Sequence, residues 1–524
     1  MSFHKAISHV MDYLPKSYLF IFTSTLVGYQ IFKLTYNLFF HPLRHIPGPK
    51  LAAATYLEEF YYDVVLYGRY TNRIKEMHEQ YGPLVRISPD EIHCNDSLFI
   101  DEIYAGGNRK RDKPIHQVRG SGTVQQALFS TINHDVHRMR RSALSRFFSR
   151  AQVTQLEPKI HKLAERLCDK ILVVGKKDPF DVTTAYSLLS SDVISGYCFG
   201  ESIGLVAQKS WEPNFRKGLY ALLNMMYYLR FFPLLRYMGL VMAPFTKVLS
   251  ADVEFLIGTI HVDIKQAKED KEAGIINEKT VFGSLIESTL PPNEKSVQRL
   301  SDEAIALFIA ATETISWALS VITYHVLTRA EILEKLTAEV SQVVDDKGEL
   351  PSWAALEKLP YLGAVIYEGL RLSYGVASRT SRVPTGEDLV YCGDWTPKGS
   401  KTSTRAEYVI PRGYAIGMSS AITHHDESIF PDSHSFLPER WLDERNQHRK
   451  ELDRSLLSFS KGSRTCIGVN LAHCELYTLL SLLTLRVFPR MKVYETTESD
   501  VTYDHDIFNP LPVKTSKGVR AIIV

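Results

Sequence analysis

Cys466 stands in a segment whose residue types could hold a metal-binding thiolate. Residues 459–468 read Phe-Ser-Lys-Gly-Ser-Arg-Thr-Cys-Ile-Gly. A thiolate that donates electron density to haem iron favours O–O cleavage, but it must be held at one height, given hydrogen-bond donors and kept from water. Phe459 would shield the sulfur, and Arg464 would donate to a haem propionate. Gly462 and Gly468 would let the backbone turn tightly and approach the porphyrin. The alternative is an ordinary buried cysteine in a glycine-rich turn.

The spacing of this segment resembles the signature of the cytochromes P450. That resemblance implies a mainly α-helical fold with a small β region. It also implies haem b as cofactor, with Cys466 as the axial thiolate ligand of its iron.

Two further motifs resemble the structural core of a P450. Glu368 and Arg371 stand three residues apart, a spacing at which helical side chains share a face and can pair. By resemblance, Arg440 of the sequence Pro-Glu-Arg-Trp joins them in a buried ion-paired network. Removing one member would leave a buried charge unpaired, so we expect loss of haem incorporation.

The sequence Ala-Ala-Thr-Glu-Thr at 310–314 resembles the oxygen-activation segment of P450s, where a helix opens locally. Thr314 can donate a hydrogen bond at the reaction centre, and Glu313 can relay protons from the solvent side. Without the cysteine motif, an exposed polar patch would be the simpler interpretation. The family more often has glycine where this chain has Ala311, and the added methyl group would narrow the oxygen groove.

Haem propionates are anionic and need cationic or hydrogen-bonding partners when they are buried. By resemblance, His137 and Arg141 match the helical residues that contact the haem edge, although tryptophan is more usual at the first position. A solvated basic helix face is the alternative for His137. Downstream, Arg382 is the expected propionate partner by its spacing, with Arg379 as the second choice.

The composition fits one large globular chain and argues against a nucleic-acid partner. The chain has 524 residues, 45% of them hydrophobic, so it can bury a large core. Its 61 basic and 59 acidic residues leave a net charge of +2, which gives no electrostatic basis for binding nucleic acid. The six cysteines are scattered without a CxxC pair, which indicates a reducing compartment that faces the cytosol.

The N-terminal residues predict a membrane anchor. After a short segment, 1–16, the apolar and aromatic run 17–40 is long enough for a tilted helix to cross a bilayer of about 30 Å. We expect a single transmembrane signal-anchor helix. A buried or membrane-surface helix is the alternative, because Gln30 and Lys33 interrupt the run.

The rest of the chain predicts a hinge and one catalytic domain. Residues 41–50 contain His-Ile-Pro-Gly-Pro, a stiff break that resembles the proline-rich hinge of microsomal P450s. Residues 51–524 would form the haem-thiolate domain. Apolar residues at helical spacing predict helices over 70–81, 135–148, 153–172, 302–328, 361–372 and 469–486. Short β-like stretches lie at 85–87, 389–391, 408–410 and 415–418.

The segment 219–245 suggests how substrate enters. It is too broken by proline and arginine to span a membrane, yet too apolar for an ordinary surface. By resemblance it roofs the active site and dips into lipid, so we expect a lipophilic substrate that enters from the bilayer. Core packing is the alternative for many of its side chains.

Three other stretches resemble filamentous-fungal P450s of secondary metabolism. They are 57–63, 81–87 and 503–506, and their nearest likeness is the trichodiene oxygenase group, which oxidises sesquiterpenes. None of them is a catalytic motif, so they indicate lineage more than substrate.

The resemblance therefore implies a single-pass monooxygenase of the endoplasmic reticulum membrane, monomeric, with a cytosolic catalytic domain. It would insert one atom of O₂ into a terpenoid intermediate; polyketide, alkaloid or fatty-acid-derived substrates are alternatives. Electrons would come from NADPH through a separate NADPH-cytochrome P450 reductase, since the chain has neither a flavin nor a nicotinamide fingerprint. A reductase-independent isomerase or dehydratase, and a haem-binding sensor or carrier, are the other classes.

Overall fold

The computed structural model describes residues 16–232, 251–273, 280–396 and 402–524. Helices dominate these ranges. They are α1 Lys16–Thr35, α2 Lys50–Ala54, α3 Leu57–Phe60, α4 Tyr70–Tyr81, α5 Ile100–Ile103, α6 Ile115–Val118, α7 His134–Ser145, α8 Arg150–Val174 and α9 Val182–Phe199. The others are α10 Arg216–Phe231, α11 Ala251–Glu272, α12 Val281–Glu287, α13 Val297–Thr328, α14 Ala330–Ser341, α15 Trp353–Leu356, α16 Pro360–Ser373, α17 Ser420–Thr423 and α18 Val469–Leu482.

The strands form small separate sheets. In chain order they are β1 Leu84–Ser88, β2 Glu91–Cys94, β3 Arg111–Asp112, β4 Phe180–Asp181, β5 Val383–Pro384, β6 Leu389–Trp395, β7 Thr404–Ile410, β8 Ala415–Gly417, β9 Met491–Val493, β10 His505–Ile507, β11 Asn509–Leu511 and β12 Arg520–Ile523. The sheet orders are β1-β2-β8, β4-β12-β9, β3-β5, β6-β7 and β10-β11. In the first sheet β2 pairs antiparallel with β1 and parallel with β8.

The main core forms around α13, which packs most extensively on α9 and also contacts α11, α16 and α18. Side-chain caps begin these helices. Asp181 accepts hydrogen bonds from the backbone N–H groups of Thr183 and Thr184 at the start of α9, and Ser296 accepts one from Arg299 at the start of α13. The caps satisfy backbone donors that have no partner within the helix.

The predicted secondary structure is confirmed within these ranges. Helices cover all six predicted spans, with ends that shift by a few residues, and strands cover all four predicted β-like stretches. In the region 219–245, only residues up to 232 are described, and α10 ends at Phe231. The rest of that predicted roof lies outside the described residues.

The N-terminal helix α1 lies where the anchor was predicted. Residues 17–36 are all exposed, and they include many aromatic and branched apolar side chains. Within the described ranges, two helical stretches are apolar and long enough to cross a bilayer, Val297–Thr328 and Val469–Arg490, and both are mostly buried in the fold. Helix α1 is not one of them. Whether α1 crosses a membrane stays a prediction.

Candidate functional site

The loop that carries Cys466 is held by its own backbone and by a distant segment. The Cys466 N–H donates to the carbonyl of Phe459 at 2.8 Å, and the Ser463 N–H donates to the carbonyl of Ala105 at 3.2 Å. Gly462 has a φ of +69°, and a Cβ there would lie 1.8 Å from the carbonyl oxygen of Tyr104. Only glycine fits this position. The positive φ of Gly462 provides the predicted tight turn, and its close neighbour in this structure is protein backbone. The approach of Gly462 to the porphyrin stays a prediction.

Gly468 has another role. Its φ of −89° needs no glycine, and a Cβ there would lie 3.9 Å from the sulfur of Cys466, an ordinary contact distance. Its backbone N–H donates to that sulfur, which opposes the effect of burial on the pKa of the thiol. Gly468 thus supplies the hydrogen-bond donor that a ligating thiolate requires.

The groups around Cys466 act on its thiol in opposite directions. Burial raises the pKa of its thiol, while the Gly468 N–H and the positive charge of Arg141 lower it. The side chain nevertheless keeps accessible surface, unlike Cys94, Cys168 and Cys474, which are buried. A bound metal cation would remove the thiol proton, because a coordinating sulfur is deprotonated. Phe459 packs beside this loop, with its ring centroid 5.3 Å from that of His473.

Arg464 fastens the loop to the segment before α7. Its guanidinium donates to the carbonyls of Arg111, Thr131 and Ile132 at 2.9, 2.7 and 2.6 Å. Burial and the neighbouring Arg382 lower its pKa to about 9. The predicted propionate donor is therefore a buried cation whose described hydrogen bonds all go to backbone carbonyls.

The other predicted propionate residues surround the same loop. Arg141 donates to the carbonyl of Thr465 at 2.7 Å, and Arg382 donates to the hydroxyl of Ser460 at 3.1 Å. His137 is buried on α7, so the solvated basic face is excluded for it. Next to His137 and Arg141 is a cavity of about 170 Å³ that Ser463 also lines.

These residues form a buried cationic cluster. Burial lowers the pKa of His137 to about 2, and the positive charges of Arg464, Lys113, Arg141 and Arg382 add to that effect. Burying Lys113, Arg141, Arg382 and Arg464 near one another is costly, and the charge of Asp112 offsets only part of this cost at Arg464. Two carboxylates at this place would remove the cost, so the cluster fits the propionates of haem.

Lys113 belongs to this cluster, and the sequence analysis missed it. Burial and the charges of Arg382 and Arg464 hold the pKa of its ammonium group well below the usual value. Lys113 donates to the carbonyl of Phe129 and lies 3.6 Å from the centre of that ring. It stands in a loop between β3 and α6, where no periodicity or motif marks it.

Arg379, the second choice for a propionate, is already neutralised. It lies 2.6 Å from Glu59 and 3.1 Å from Glu91, and all three side chains are buried. Arg382 has no carboxylate within ion-pair distance among the described residues. The structure therefore favours Arg382, as the spacing predicted.

Thr314 lies on an accessible face in the middle of α13. Its hydroxyl donates to the carbonyl of Ala310 at 2.7 Å, and both residues keep accessible surface although most of the helix is buried. The helix runs without interruption from Val297 to Thr328, so the predicted local opening is not seen. The bond from Thr314 occupies the Ala310 carbonyl, and Ala311 keeps helical geometry better than a glycine would.

A proton relay from the solvent side requires Glu313 to face solvent, but the structure buries this residue. Its carboxylate is buried, and Oε1 lies 3.4 Å from Nε of Arg216 on α10. Arg216 in turn donates to Asp181 at 2.8 Å. Burial raises the pKa of Glu313, and the charge of Arg216 opposes that rise. Arg216 and Asp181 therefore connect Glu313 toward the surface. Sequence reasoning missed both because they lie far from Glu313 in the chain.

The predicted Glu-Arg-Arg network is present. Glu368 lies 2.8 Å from Arg371 and 3.0 Å from Arg440, and it also accepts a hydrogen bond from the Trp441 indole at 2.9 Å. Glu368 and Arg371 are completely buried. All these oxygens and guanidinium groups have partners, which is the condition under which buried charges are tolerated.

His424 connects that network to the cysteine loop. One ring nitrogen is 2.7 Å from the carbonyl of Arg371, and the other accepts a hydrogen bond from the Leu457 N–H at 2.8 Å. Burial is the main cause that lowers its pKa to about 3, so the ring is neutral. Both ring nitrogens thus have hydrogen-bond partners, and the role of His424 is structural.

Comparison with known proteins agrees with this geometry. The family described as Cytochrome P450 matches residues 63–503. The chain is 42% identical to cytochrome P450 monooxygenase ppzE of Metarhizium majus over 84% of its own length and 94% of the relative. It is 38% identical to cytochrome P450 monooxygenase MO6277 of Ascocoryne sarcoides over 98% of this chain and the whole relative. N-acetyltryptophan 6-hydroxylase ivoC of Emericella nidulans is 35% identical over 95% of this chain and 94% of its own.

Both the family match and the relatives extend over most of the chain. The residues that the family matches include the cysteine loop, the cationic cluster and the Glu368 network. The protein belongs to the cytochrome P450 family and is a haem-thiolate monooxygenase of the fungal type.

Proposed function

We propose that this monooxygenase oxidises a lipophilic secondary metabolite at the membrane of the endoplasmic reticulum, as a monomer with its catalytic domain in the cytosol. The observation that carries the reaction type is the accessible Cys466 thiol between the Gly468 N–H and a buried cationic cluster. The exposed apolar surface of α1 supports the anchor, because such a surface is stable only in lipid or against a partner.

When bound, haem supplies the activation of dioxygen that amino-acid side chains cannot provide. Cys466 would hold the iron, and Lys113, His137, Arg141, Arg382 and Arg464 would hold the propionates. The Gly468 N–H sets the electron density on the sulfur by donating to it. These groups fix the position and electronic character of the cofactor.

Thr314 and Glu313, on helix α13, would deliver protons to the reaction centre. Thr314 Oγ1 donates to the carbonyl of Ala310. Because both residues keep accessible surface, this hydroxyl can turn to donate to a bound group instead. Burial raises the pKa of Glu313, which favours the protonated form that a proton donor to the site needs. Arg216 would hold the Glu313 carboxyl in place through its ion pair, since a guanidinium does not release its proton. Electrons would come from NADPH through a separate reductase.

For the substrate we propose a terpenoid, of sesquiterpene type, as the primary candidate. Partly buried apolar residues of α10, including Met225 and Met226, support a pocket that adapts to an irregular alicyclic skeleton. A second candidate is an aromatic amino-acid derivative, because one relative is named as an N-acetyltryptophan 6-hydroxylase.

Substrate binding to the ferric holoenzyme separates the two candidates. A substrate that displaces water from the iron shifts the Soret band to shorter wavelength, and the shift can be titrated. We expect saturable shifts with sesquiterpene hydrocarbons and alcohols, followed by one hydroxylated product in the presence of reductase and NADPH. Shifts and product with N-acetyltryptophan alone would select the second candidate. Product from a hydroperoxide without reductase would favour an isomerase or dehydratase, and no turnover with either system would favour a sensor or carrier.

A further inference from the structure

A cavity of about 50 Å³ shares Lys113 with the cationic cluster of the haem site. Apolar side chains contribute to its lining, among them Phe129, Met226 and Phe508. The polar part of the lining includes Lys113, Gln117, Ser121, Arg230, Ser378 and Arg379. We call this cavity the polar pocket. It has room for a small polar group or a few water molecules, but not for a terpenoid or indole skeleton.

Three donors of the residues around the polar pocket have no partner within the described part of the chain. Ser121 and Ser378 are 2% and 6% exposed, and neither hydroxyl makes a hydrogen bond there. The Nε–H of Arg230 is also buried without a hydrogen bond. Buried donors without partners are costly and uncommon. Three of them around one small cavity indicate that the cavity receives an acceptor.

Lys113 brings a cation to the polar pocket. Its ammonium group donates to the carbonyl of Phe129, and no carboxylate acts on it among the described residues. An ammonium group has three donors. One donor can therefore go to Phe129, one to a haem propionate and one to an acceptor in the polar pocket.

The two arginines of the polar pocket are held by carboxylates that do not line it. Arg230 lies 3.1 Å from Glu59, and Arg379 lies 2.6 Å from Glu59 and 3.1 Å from Glu91. Arg230 is also 3.4 Å from Asp63, but burial raises the pKa of Asp63 to about 8, so this carboxyl is mostly protonated at neutral pH. Two carboxylates thus balance two guanidinium groups, and neither has charge to spare for the rest of the polar pocket.

We propose that the polar pocket is a subsite for a carboxylate group of the substrate. The carboxylate would accept hydrogen bonds from the ammonium group of Lys113 and from the hydroxyls of Ser121 and Ser378. The apolar part of the lining would contact the lipophilic body of the substrate, which rests on the proposed function. Of the two candidate classes, the subsite selects the members that carry an acid group, namely a sesquiterpene acid or an N-acylated aromatic amino acid.

The test uses ligands that are anchored at the iron of the ferric holoenzyme, so it does not depend on the identity of the substrate. Imidazole nitrogen binds ferric haem iron and moves the Soret band to longer wavelength. Imidazol-1-yl alkanoic acids of increasing chain length place a carboxylate at increasing reach, and their primary amides are neutral counterparts of similar shape. We expect one chain length at which the acid binds about tenfold more tightly than its amide.

Variants of the pocket should remove this preference without weakening the amide. Lys113→Gln should abolish it, and Ser121→Ala and Ser378→Ala should each reduce it about threefold. Ser130→Ala is the matched control, because the Ser130 hydroxyl is also buried without a hydrogen bond but does not line the polar pocket. Affinities are measured per bound haem, so a lower haem content of a variant does not enter them.

Equal affinities of acid and amide at every chain length would overturn the subsite and leave the polar pocket to water. A preference that survives in Lys113→Gln and in both serine variants would overturn it as well. Titrations with N-acetyltryptophan and farnesoic acid, each against its primary amide, separate this proposal from the proposed function. Tighter binding of either acid than of its amide would support the subsite. If neither skeleton binds while the imidazolyl acids keep their preference, the subsite stands and the proposed substrates are wrong.

Discussion

Arg216 Nε and Glu313 Oε1 lie 3.4 Å apart between helices α10 and α13, and Glu313 has only 1% of its side chain exposed. The positive charge of Arg216, on another helix, therefore lowers the pKa of Glu313, the acid next to Thr314. Arg216 also bonds to Asp181, whose side chain is 22% exposed, so the three residues lead stepwise from surface to core.

We predict that Arg216→Met moves the pH profile of coupling, the yield of product per NADPH consumed. Burial raises the pKa of Glu313 and Arg216 opposes that rise, so loss of the cation raises the pKa further. Because Glu313 donates a proton, its pKa sets the alkaline limb of the profile, and that limb should move to higher pH. Arg216→Lys keeps the charge and should restore the wild-type profile. An unmoved profile in Arg216→Met would remove this ion pair from proton delivery.

Thr314→Ala should separate oxygen reduction from product formation. The variant should bind haem normally, but coupling should fall several-fold as NADPH electrons appear as hydrogen peroxide, since a proton donor at the site is lost. Thr312→Val is the matched control, because Thr312 is buried and lies 3.2 Å from Ser191. Equal coupling in Thr314→Ala and wild type, measured by peroxide and product assays, would exclude Thr314 from the mechanism.

Glu368→Gln should prevent stable assembly of the haem protein. The change leaves Arg371 and Arg440 without their shared buried carboxylate, which costs about 3–5 kcal/mol of folding free energy. Glu439→Gln is a suitable control in the adjacent motif, because its bridge to Lys335 is half exposed and should contribute under about 1 kcal/mol. For each variant, urea unfolding measures the free energy of unfolding, and the haem content of the purified protein measures assembly. Similar losses in the two variants would contradict the assignment.

Several of these partners could not be predicted from sequence. The functional residues of the Cys466 loop and of the Glu368 helix lie close together in the chain, so their spacing alone was enough to predict them. Lys113, Arg216 and Arg230 meet their partners only through tertiary packing over long chain separations. Helix α9 was missed for another reason. It is buried along nearly its whole length, so it lacks the polar face that marks helical periodicity.

Lys113→Met and Arg382→Met should each weaken retention of haem. Burial lowers the pKa of His137 to about 2, and the charges of Lys113 and Arg382 add to that effect. Each substitution would remove a cationic partner of a propionate. Haem transfer to excess apomyoglobin should become several-fold faster. Lys110→Met is the control, since Lys110 pairs with Asp135 at the surface. Transfer rates equal to wild type in both cluster variants would show that the cluster does not hold the propionates.

The central claim is that Cys466 is the thiolate ligand, and the spectrum of the reduced, carbon-monoxide-bound protein tests it most directly. The wild type should show a thiolate-type Soret band, Cys466→Ala should lose it, and Cys392→Ala, which alters the other exposed cysteine, should keep it. A wild type without that band, or a Cys466→Ala variant that retains it, would contradict the account.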